Sequence, residues 1–256
     1  MAIHPSSDVH PNAVLGEGVS VGPFTSIGPD VAIGEGTEIG PGVLITGRTT
    51  IGRQCRIYHG ASIGGDPQVV NFKDVPSGVT LGDRTTVREY VTIHRSMHAD
   101  VNTTVGNDCM LMAYAHIAHD CVIGNQVIIV NSTGLSGHIV VEDRAFISGM
   151  VAMHQFVRIG KHAMVGGSSG VRKDILPYSL VEGYPARLVS LNSVGLRRAD
   201  FPPAVRSAIK AAFKIILDPA LNLKQAVHKI EREIEMLDEI RYLIDFIGKS
   251  TRGITT

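Results

Sequence analysis

The stretch VAIGEGTEIGPGVLIT, residues 31–46, places an isoleucine at every sixth position, Ile33, Ile39 and Ile45. The step of six continues in both directions and carries an apolar residue from Val9 to Val171, with Ala99 as its weakest member. An α-helix repeats every 3.6 residues and a half-buried strand every two, so neither explains a strict period of six. This period is typical of a hexapeptide solenoid, in which each short strand turns one aliphatic side chain inward.

Glycine often follows the repeating aliphatic residue, as in Gly28, Gly34 and Gly40. Glycine near a turn adopts backbone angles that other residues resist. Three such hexads close one triangular coil of about eighteen residues, and successive coils stack at the strand spacing of roughly 4.8 Å. The sequence therefore predicts a mainly β protein built as a parallel β-helix.

Two segments, 64–78 and 96–104, keep the step of six but lose its glycine pattern and contain proline, asparagine and charged residues. We interpret them as loops that project from the solenoid, where binding residues often lie. The repeat ends after Val171. Segment 192–198 is interpreted as a connection, and the apolar spacing predicts helices over about 203–217 and 223–248. The expected domains are a β-helix at 1–190 and an α-helical cap at 191–256.

Composition excludes several classes of protein. The chain has 256 residues, 28 glycines, no tryptophan and a formal net charge of zero, so no overall field attracts nucleic acid or an anionic membrane. It shows neither a signal-peptide pattern nor an apolar run long enough to span a bilayer. Three cysteines without CxxC spacing indicate reduced thiols. These features predict a cytoplasmic protein.

Four of the eleven histidines fall between residues 114 and 155. With eighteen residues per coil, His119, Gly137 and Gln155 are expected to form one vertical column, and His138 and His154 flank it. The inward positions of these coils belong to the aliphatic register, so the histidines are not core residues. A surface histidine or a subunit-interface hydrogen bond would explain one isolated imidazole, but a column favours a site.

Two chemistries are consistent with this column. The first is acyl transfer, in which a neutral imidazole acts as general base, Asp120 or a nearby acceptor orients it, and the backbone N–H of Gly137 stabilises an oxyanion. The second is a zinc site, as in hexapeptide solenoids of the carbonic-anhydrase class, built from three imidazoles among His94, His116, His119 and His138. The column arrangement, with glycine and glutamine in it, favours the first, and no metal or other cofactor is expected.

At these residues the chain resembles the UDP-N-acetylglucosamine O-acyltransferase family of lipid A biosynthesis. The likeness covers nearly the whole chain. It rests on His4-Pro5, Arg88-Glu89, Thr92-Ile93-His94-Arg95, Ala115-His116-Ile117-Ala118-His119-Asp120, Gly137-His138, His154-Gln155, Val165-Gly166-Gly167, Asn192, Gly195-Leu196-Arg197-Arg198 and Ser250-Thr251-Arg252-Gly253.

The resemblance implies a homotrimer of left-handed β-helices with active sites between subunits. It implies a 3-hydroxyacyl donor on acyl carrier protein and an acceptor at the 3-position of a UDP-linked glucosamine. His119 matches the general base, Asp120 its partner and Gly137 the oxyanion-stabilising amide. The remaining matches are substrate contacts: Gln68 in the first loop, the sugar- and acyl-contacting His116, His138, His154 and Gln155, the acyl-pocket end at Gly167, and the nucleotide contacts Asn192 and Arg198.

Three positions depart from the family pattern. The family loop typically reads Pro/Asn-Gln-Asp-Leu-Lys, whereas this chain has Pro67-Gln68-Val69-Val70-Asn71, so a carboxylate and a lysine are replaced by Val69 and Asn71. Ala199 stands where many members carry a second basic residue. These departures suggest altered acceptor choice, toward a 3-amino sugar or another nucleotide sugar. The alternatives are therefore an acyltransferase for a different nucleotide sugar and, less favoured, a zinc-dependent hydratase.

Overall fold

The computed structural model describes residues 2–256 and confirms the parallel β-helix with a C-terminal helical cap. Short strands form three parallel sheets that follow one another around each coil. The first sheet contains Ala2–Ile3, Ser20–Val21, Glu38–Ile39, Arg56–Ile57, Thr86–Val87, Met110–Leu111, Ile128–Ile129, Phe146–Ile147, Met164–Val165, Ser179–Glu182 and Arg187–Leu191. The second contains Asp8–Val9, Ser26–Ile27, Leu44–Ile45, Ser62–Gly65, Thr92–His94, His116–Ile117, Gly134–Leu135, Ala152–Met153 and Gly170–Val171. The third contains Val14–Leu15, Ala32–Ile33, Thr50–Ile51, Gly78–Leu81, Asn102–Val105, Val122–Ile123, Val140–Val141 and Arg158–Ile159.

The strands pair with the spacing of eighteen residues that the sequence predicts. Ser26 pairs with Leu44, and His116 pairs with Gly134, eighteen residues further along in each case. The inward aliphatics stack into a continuous core, and Ile27, Ile45 and Ile117 are at most 2% exposed. The strand pair Ser179–Glu182 and Arg187–Leu191 is antiparallel and closes the last coil. The left hand of the coil stays a prediction.

Both predicted loops leave the solenoid where the sequence separation between paired residues increases above eighteen. Ser62 pairs with Thr92, thirty residues away, and Thr92 pairs with His116, twenty-four away. Relative to a plain coil of eighteen, the loops thus add twelve and six residues, which are whole hexads. The register residues Val69, Val75 and Ala99 lie in these loops and outside the strands.

The first loop leaves the solenoid through Gly64, which has a φ of +85°. A Cβ atom there would overlap the backbone oxygen of Thr46. Only glycine permits this close approach at a positive φ.

The cap comprises helices α1 (Ser193–Arg198), α2 (Pro203–Ile216), α3 (Leu223–Glu233) and α4 (Asp238–Gly248). The interpretation of 192–198 as a connection was wrong, because the Asn192 side chain accepts the Gly195 N–H at 3.0 Å and starts α1. The single region 223–248 is two helices, because Ile234 and Leu237 adopt extended backbone angles. The apolar spacing continues across this break and no proline or glycine marks it. The 190/191 domain boundary stays a prediction.

None of the helices within residues 2–256 is long and apolar enough to cross a bilayer.

His162 lies where the cap packs on the solenoid, and it provides a test of acid stability. Its ring is 5.0 Å from that of Phe201, edge to face, and the residue is buried. Burial lowers the pKa of His162 to about 4, and the positive charges of Arg144 and Lys161 act in the same direction against the smaller opposite effect of Asp143. Between about pH 6.5 and pH 4, His162 therefore binds a proton in the unfolded chain but not in the folded chain. The free energy of unfolding decreases as the pH falls through this range.

We expect His162→Gln to remove this contribution. The difference in unfolding free energy between wild type and variant should be constant above about pH 7 and should shift in favour of the variant by roughly 3 kcal/mol at pH 4. Urea unfolding at several pH values measures it. Parallel stability curves for the two proteins from pH 7 to 4 would contradict a neutral buried His162.

Candidate active site

Three successive coils of the second sheet carry the candidate site on the turns that follow their strands. His119 follows the strand His116–Ile117, Gly137 follows Gly134–Leu135, and Gln155 follows Ala152–Met153. The His138 N–H donates to the His119 carbonyl at 3.1 Å, and the Phe156 N–H donates to the Gly137 carbonyl at 3.2 Å. The turns therefore stack directly, as the spacing of eighteen predicted.

His119 and Asp120 form a largely buried pair. The His119 Nδ1 atom is 2.8 Å from Asp120 Oδ2, and the two side chains are 13% and 6% exposed. Because an ionised carboxylate only accepts hydrogen bonds, Nδ1 carries the proton of the neutral imidazole, which leaves the lone pair on Nε2. This is the tautomer that a general base requires.

Asp120 is held ionised by its surroundings. Burial by itself raises the pKa of this carboxyl group, but hydrogen bonds from Ser96 and His119, the Met97 N–H and the nearby His138 together lower it below its ordinary value. The Ser96 hydroxyl donates to Oδ1, and the Asp120 N–H donates to Thr103 Oγ1 at 2.8 Å. Sequence reasoning missed Ser96 and Thr103, because both come from segments around the second loop.

Gly137 leaves room for the imidazole. A Cβ atom on this residue would lie 2.4 Å from His119 Cε1 and 2.7 Å from Nε2, so any larger residue would displace the ring. The Gly137 N–H has no hydrogen-bond acceptor among residues 2–256. It is therefore available to an oxyanion beside the Nε2 atom.

His138 and Phe156 extend the site along the next turns. Their rings stack with centroids 4.6 Å apart and planes 10° from parallel. His138 lies edge-on to His119, with ring centroids 5.2 Å apart. Burial lowers the pKa of His138, an effect partly offset by the charge of Asp120, so the ring is mainly neutral near pH 7.

On the other side, His116 and His94 connect the site to the first loop. His116 Nδ1 is 2.7 Å from Thr92 Oγ1, and His94 Nδ1 contacts the backbone oxygen of Asp66 in that loop. Their rings lie 5.1 Å apart, and burial lowers the pKa of both. His116 therefore lies between the His119 column and the base of the loop that contains Gln68.

Arg95 fixes the base of this loop, a function that sequence reasoning did not assign. Its buried guanidinium contacts Asp66 at 2.7 Å and Asp74 at 2.6 Å and donates to the Val75 carbonyl. These partners are twenty or more residues from it in sequence. Gln68 lies exposed on the loop so fixed.

His154 is reached by the C-terminal segment. The Ser250 hydroxyl donates to the buried Asp174 at 2.7 Å, and the Asp174 N–H donates to the Gly253 carbonyl at 2.9 Å. Between these anchors Arg252 extends its Nη2 to 2.9 Å from His154 Nδ1. A guanidinium only donates, so His154 Nδ1 accepts in this contact, whereas the Gln155 carbonyl, 3.2 Å from the same nitrogen, would require it to donate. Gln155 beside it is exposed.

The two predicted nucleotide contacts lie together in a separate cavity of about 950 Å³, which Ala199 and His162 also line. Asn192 and Arg198 both face it. Asn192 has two further hydrogen bonds, the cap on α1 and a 2.9 Å bond from Nδ2 to the His162 carbonyl. Gly167 does not line this cavity. It lies next to Gly149, and a Cβ atom added to Gly167 would be 3.5 Å from the Gly149 backbone oxygen.

The metal interpretation finds little support in these positions. Among residues 2–256 one group of three possible ligands converges, His98, Asp120 and His138, and it contains only His138 of the four histidines considered. His94 and His116 form their own edge-to-face pair.

Comparisons with known proteins decide the family. Residues 174–255 match the model described as Udp N-acetylglucosamine O-acyltransferase, Domain 2, and residues 12–47 and 102–137 match the bacterial transferase hexapeptide model. The acyl-[acyl-carrier-protein]--UDP-N-acetylglucosamine O-acyltransferase of Pseudomonas entomophila is 43% identical over 255 residues, which cover 99% of each chain. The chain belongs to the UDP-N-acetylglucosamine O-acyltransferase family.

Solved members of the UDP-N-acetylglucosamine O-acyltransferase family share the whole architecture. The enzyme from Bacteroides fragilis superposes with a TM-score of 0.95 at 38% identity, over 99% of both chains. The one from Campylobacter jejuni gives 0.93 at 34% identity, again over 99% of both chains. The family likeness therefore includes the cap and the projecting loops as well as the solenoid.

Proposed function

We propose that the chain transfers a 3-hydroxyacyl group from acyl carrier protein to the 3-position of UDP-N-acetylglucosamine or its 3-amino analogue, the first step of lipid A biosynthesis. The relatives are named for the acyl carrier protein donor and the UDP-N-acetylglucosamine acceptor. The observation that carries the proposal is the largely buried His119–Asp120 pair, together with a Gly137 N–H that has no acceptor among residues 2–256.

His119 is the general base of the proposed reaction. Its Nε2 atom removes the proton from the acceptor hydroxyl or amine as that atom attacks the carbonyl carbon of the acyl thioester. Asp120 stabilises the resulting imidazolium through Nδ1. The Gly137 N–H donates to the oxyanion of the tetrahedral intermediate. When the C–S bond breaks, the imidazolium returns its proton to the carrier's thiolate, so the base is regenerated.

We assign each residue to a part of the substrate according to its position in the structure. Gln155 in the column, and His116, His138 and His154 beside it, contact the sugar and acyl groups, with Gln68 on the first loop, and Gly167 ends the acyl pocket. Asn192 and Arg198 bind the nucleotide in the cavity beside the cap. In this proposal three copies assemble so that adjacent chains complete each site. The reaction takes place in the cytoplasm and uses no metal cofactor.

A different acceptor is the second candidate, and the first loop favours it. Val69 and Asn71 supply neither the carboxylate nor the ammonium group that the family pattern places there. A hydroxyl acceptor loses polarising contacts without them, whereas an amine is the stronger nucleophile and depends on them less. A lost polar contact of this kind changes discrimination by about 1–3 kcal/mol, or roughly 5- to 150-fold.

The test compares kcat/KM for UDP-N-acetylglucosamine and its 3-amino analogue, with hydroxyacyl carrier protein as donor. We expect wild type to prefer the amine by about tenfold or more, and the double variant Val69→Asp/Asn71→Lys to lose most of that preference. Val70→Asp is the matched control, because Val70 is the neighbouring residue and 88% exposed. Turnover of UDP-N-acetylglucosamine as efficient as that of the amine in wild type would contradict altered acceptor choice. Inertness toward both sugars would favour another nucleotide sugar.

A further inference from the structure

A side-chain cluster next to His119 offers ligands that the acyl-transfer mechanism does not use together. His98 comes from the second loop, Asp120 from the turn after His116–Ile117, and His138 from the corresponding turn of the next coil. One ligand atom from each lies within 4.8 Å of the other two. His138 Nε2 is 3.7 Å from Asp120 Oδ2, and the His98 and His138 rings have centroids 6.0 Å apart.

No hydrogen bond joins the side chains of His98, Asp120 and His138 to one another. A separation of 3.7 Å is too long for a hydrogen bond between His138 and Asp120. Asp120 Oδ2 accepts the proton of His119 Nδ1 at 2.8 Å and, over a longer 3.4 Å, the Met97 N–H, and a metal ion would take the place of this weaker second contact. Ser96 takes the other carboxylate oxygen, Oδ1. The cluster therefore holds one carboxylate oxygen and two imidazoles that face a common gap.

We propose that His98, Asp120 and His138 bind one divalent transition-metal ion, such as Zn²⁺ or Co²⁺, and that the bound ion inhibits acyl transfer. Two imidazoles and one carboxylate are a ligand set for zinc and its neighbours, whereas Mg²⁺ and Ca²⁺ prefer oxygen ligands alone. Zinc bonds of about 2.0–2.2 Å require ligand atoms roughly 3.3–3.6 Å apart in a tetrahedron. The His138 and Asp120 atoms, 3.7 Å apart, are already close to that spacing, and the exposed His98 would move from within 4.8 Å to complete it.

Inhibition follows from Asp120, and this step rests on the proposed function. The carboxylate stabilises the imidazolium that forms when His119 takes a proton. A divalent cation bound to Oδ2 competes with the His119 Nδ1–H for that oxygen and offsets the carboxylate charge that stabilises the imidazolium in the transition state. The ion also holds His138, which the proposed reaction uses as a substrate contact. The metal therefore acts as a reversible inhibitor of the reaction.

The first experiment titrates the metal-free full chain with Co²⁺ alone and follows its visible absorption. We expect one Co²⁺ per chain with a tetrahedral-type spectrum. His98→Ala should weaken the affinity by at least tenfold, because even the loss of a group that only orients a ligand typically costs about 10- to 100-fold. His228→Ala is the matched control, because His228 is an exposed imidazole 3.3 Å from one carboxylate, Glu231, on α3.

The second experiment measures acyl transfer at increasing buffered Zn²⁺. Without metal, wild type and His98→Ala should be equally active, because His98 lies outside the proposed catalytic machinery. The Zn²⁺ concentration for half inhibition should be at least tenfold higher in His98→Ala.

Equal Co²⁺ affinity in wild type and His98→Ala, or the absence of binding at sub-millimolar Co²⁺, would overturn the site. Binding through His98 without inhibition by Zn²⁺ would overturn the inhibitory role. The Co²⁺ titration does not depend on enzyme activity, so an inactive protein would count against the proposed function while the titration still decides the metal site.

Discussion

His119→Ala is expected to lower kcat for acyl transfer by about 10²- to 10⁴-fold, the usual contribution of a positioned general base. The KM for the UDP-sugar should change little, because the proton transfer is made in the transition state and not on binding. Steady-state kinetics with hydroxyacyl carrier protein and the better of the two acceptors measures both quantities. Activity within tenfold of wild type would show that His119 is not the base.

Two further variants make this result specific. Asp120→Asn keeps the shape of the partner but removes the charge that stabilises the imidazolium, so we expect a large loss of kcat that is smaller than for His119→Ala. His228→Ala removes an exposed imidazole on α3 and should retain wild-type rates. The hydrogen bond from His119 to the Asp120 carboxylate contributes about 1.5–3 kcal/mol, so thermal unfolding of His119→Ala should give a lower midpoint but still a folded protein.

Gly137→Ala is expected to have the second-largest effect, a loss of about 10²-fold or more in kcat/KM. The added methyl group would lie 2.4 Å from His119 Cε1 and 2.7 Å from Nε2, so the ring has to move from its position beside Asp120. The backbone N–H is retained in this variant. The predicted loss therefore comes from the displaced base and not from a missing oxyanion donor.

The matched control for this substitution is Gly28→Ala, on an early coil of the same solenoid. An added Cβ there meets its nearest atoms at 3.6 Å, which is ordinary van der Waals contact. Thermal unfolding and steady-state kinetics of both variants separate an effect on the fold from an effect on the site. Wild-type kcat/KM in Gly137→Ala would show that the position of the His119 ring is not critical.

The solenoid could be predicted from the sequence because its main interaction repeats. Outside the two loops each inward aliphatic stacks on the one eighteen residues away, so a single period gives the strand positions, the core and the stacking of turns. The same arithmetic predicts the adjacency of His119 and Gly137. The break between α3 and α4 could not be predicted, because the apolar spacing runs through residues 234–237 without a helix-breaking residue.

The contacts of the two loops could not be predicted from the sequence either. Across the loops the pairing offset is thirty or twenty-four, so a step of eighteen gives the wrong neighbour for Thr92, which pairs with His116. The ion pairs of Arg95 with Asp66 and Asp74, and the approach of His98 to Asp120, depend on how an irregular chain returns to the solenoid. No periodic pattern encodes that path.

The whole-hexad length of both loops bears on how such a protein can change during evolution. Because twelve or six extra residues return the chain to the same face of the prism, a loop can be gained, lost or exchanged without turning any later aliphatic toward solvent. Loop sequence and architecture are thereby inherited as nearly independent traits. A recombination event that moves one hexad-length segment between relatives changes the loop and leaves every coil above and below it in place.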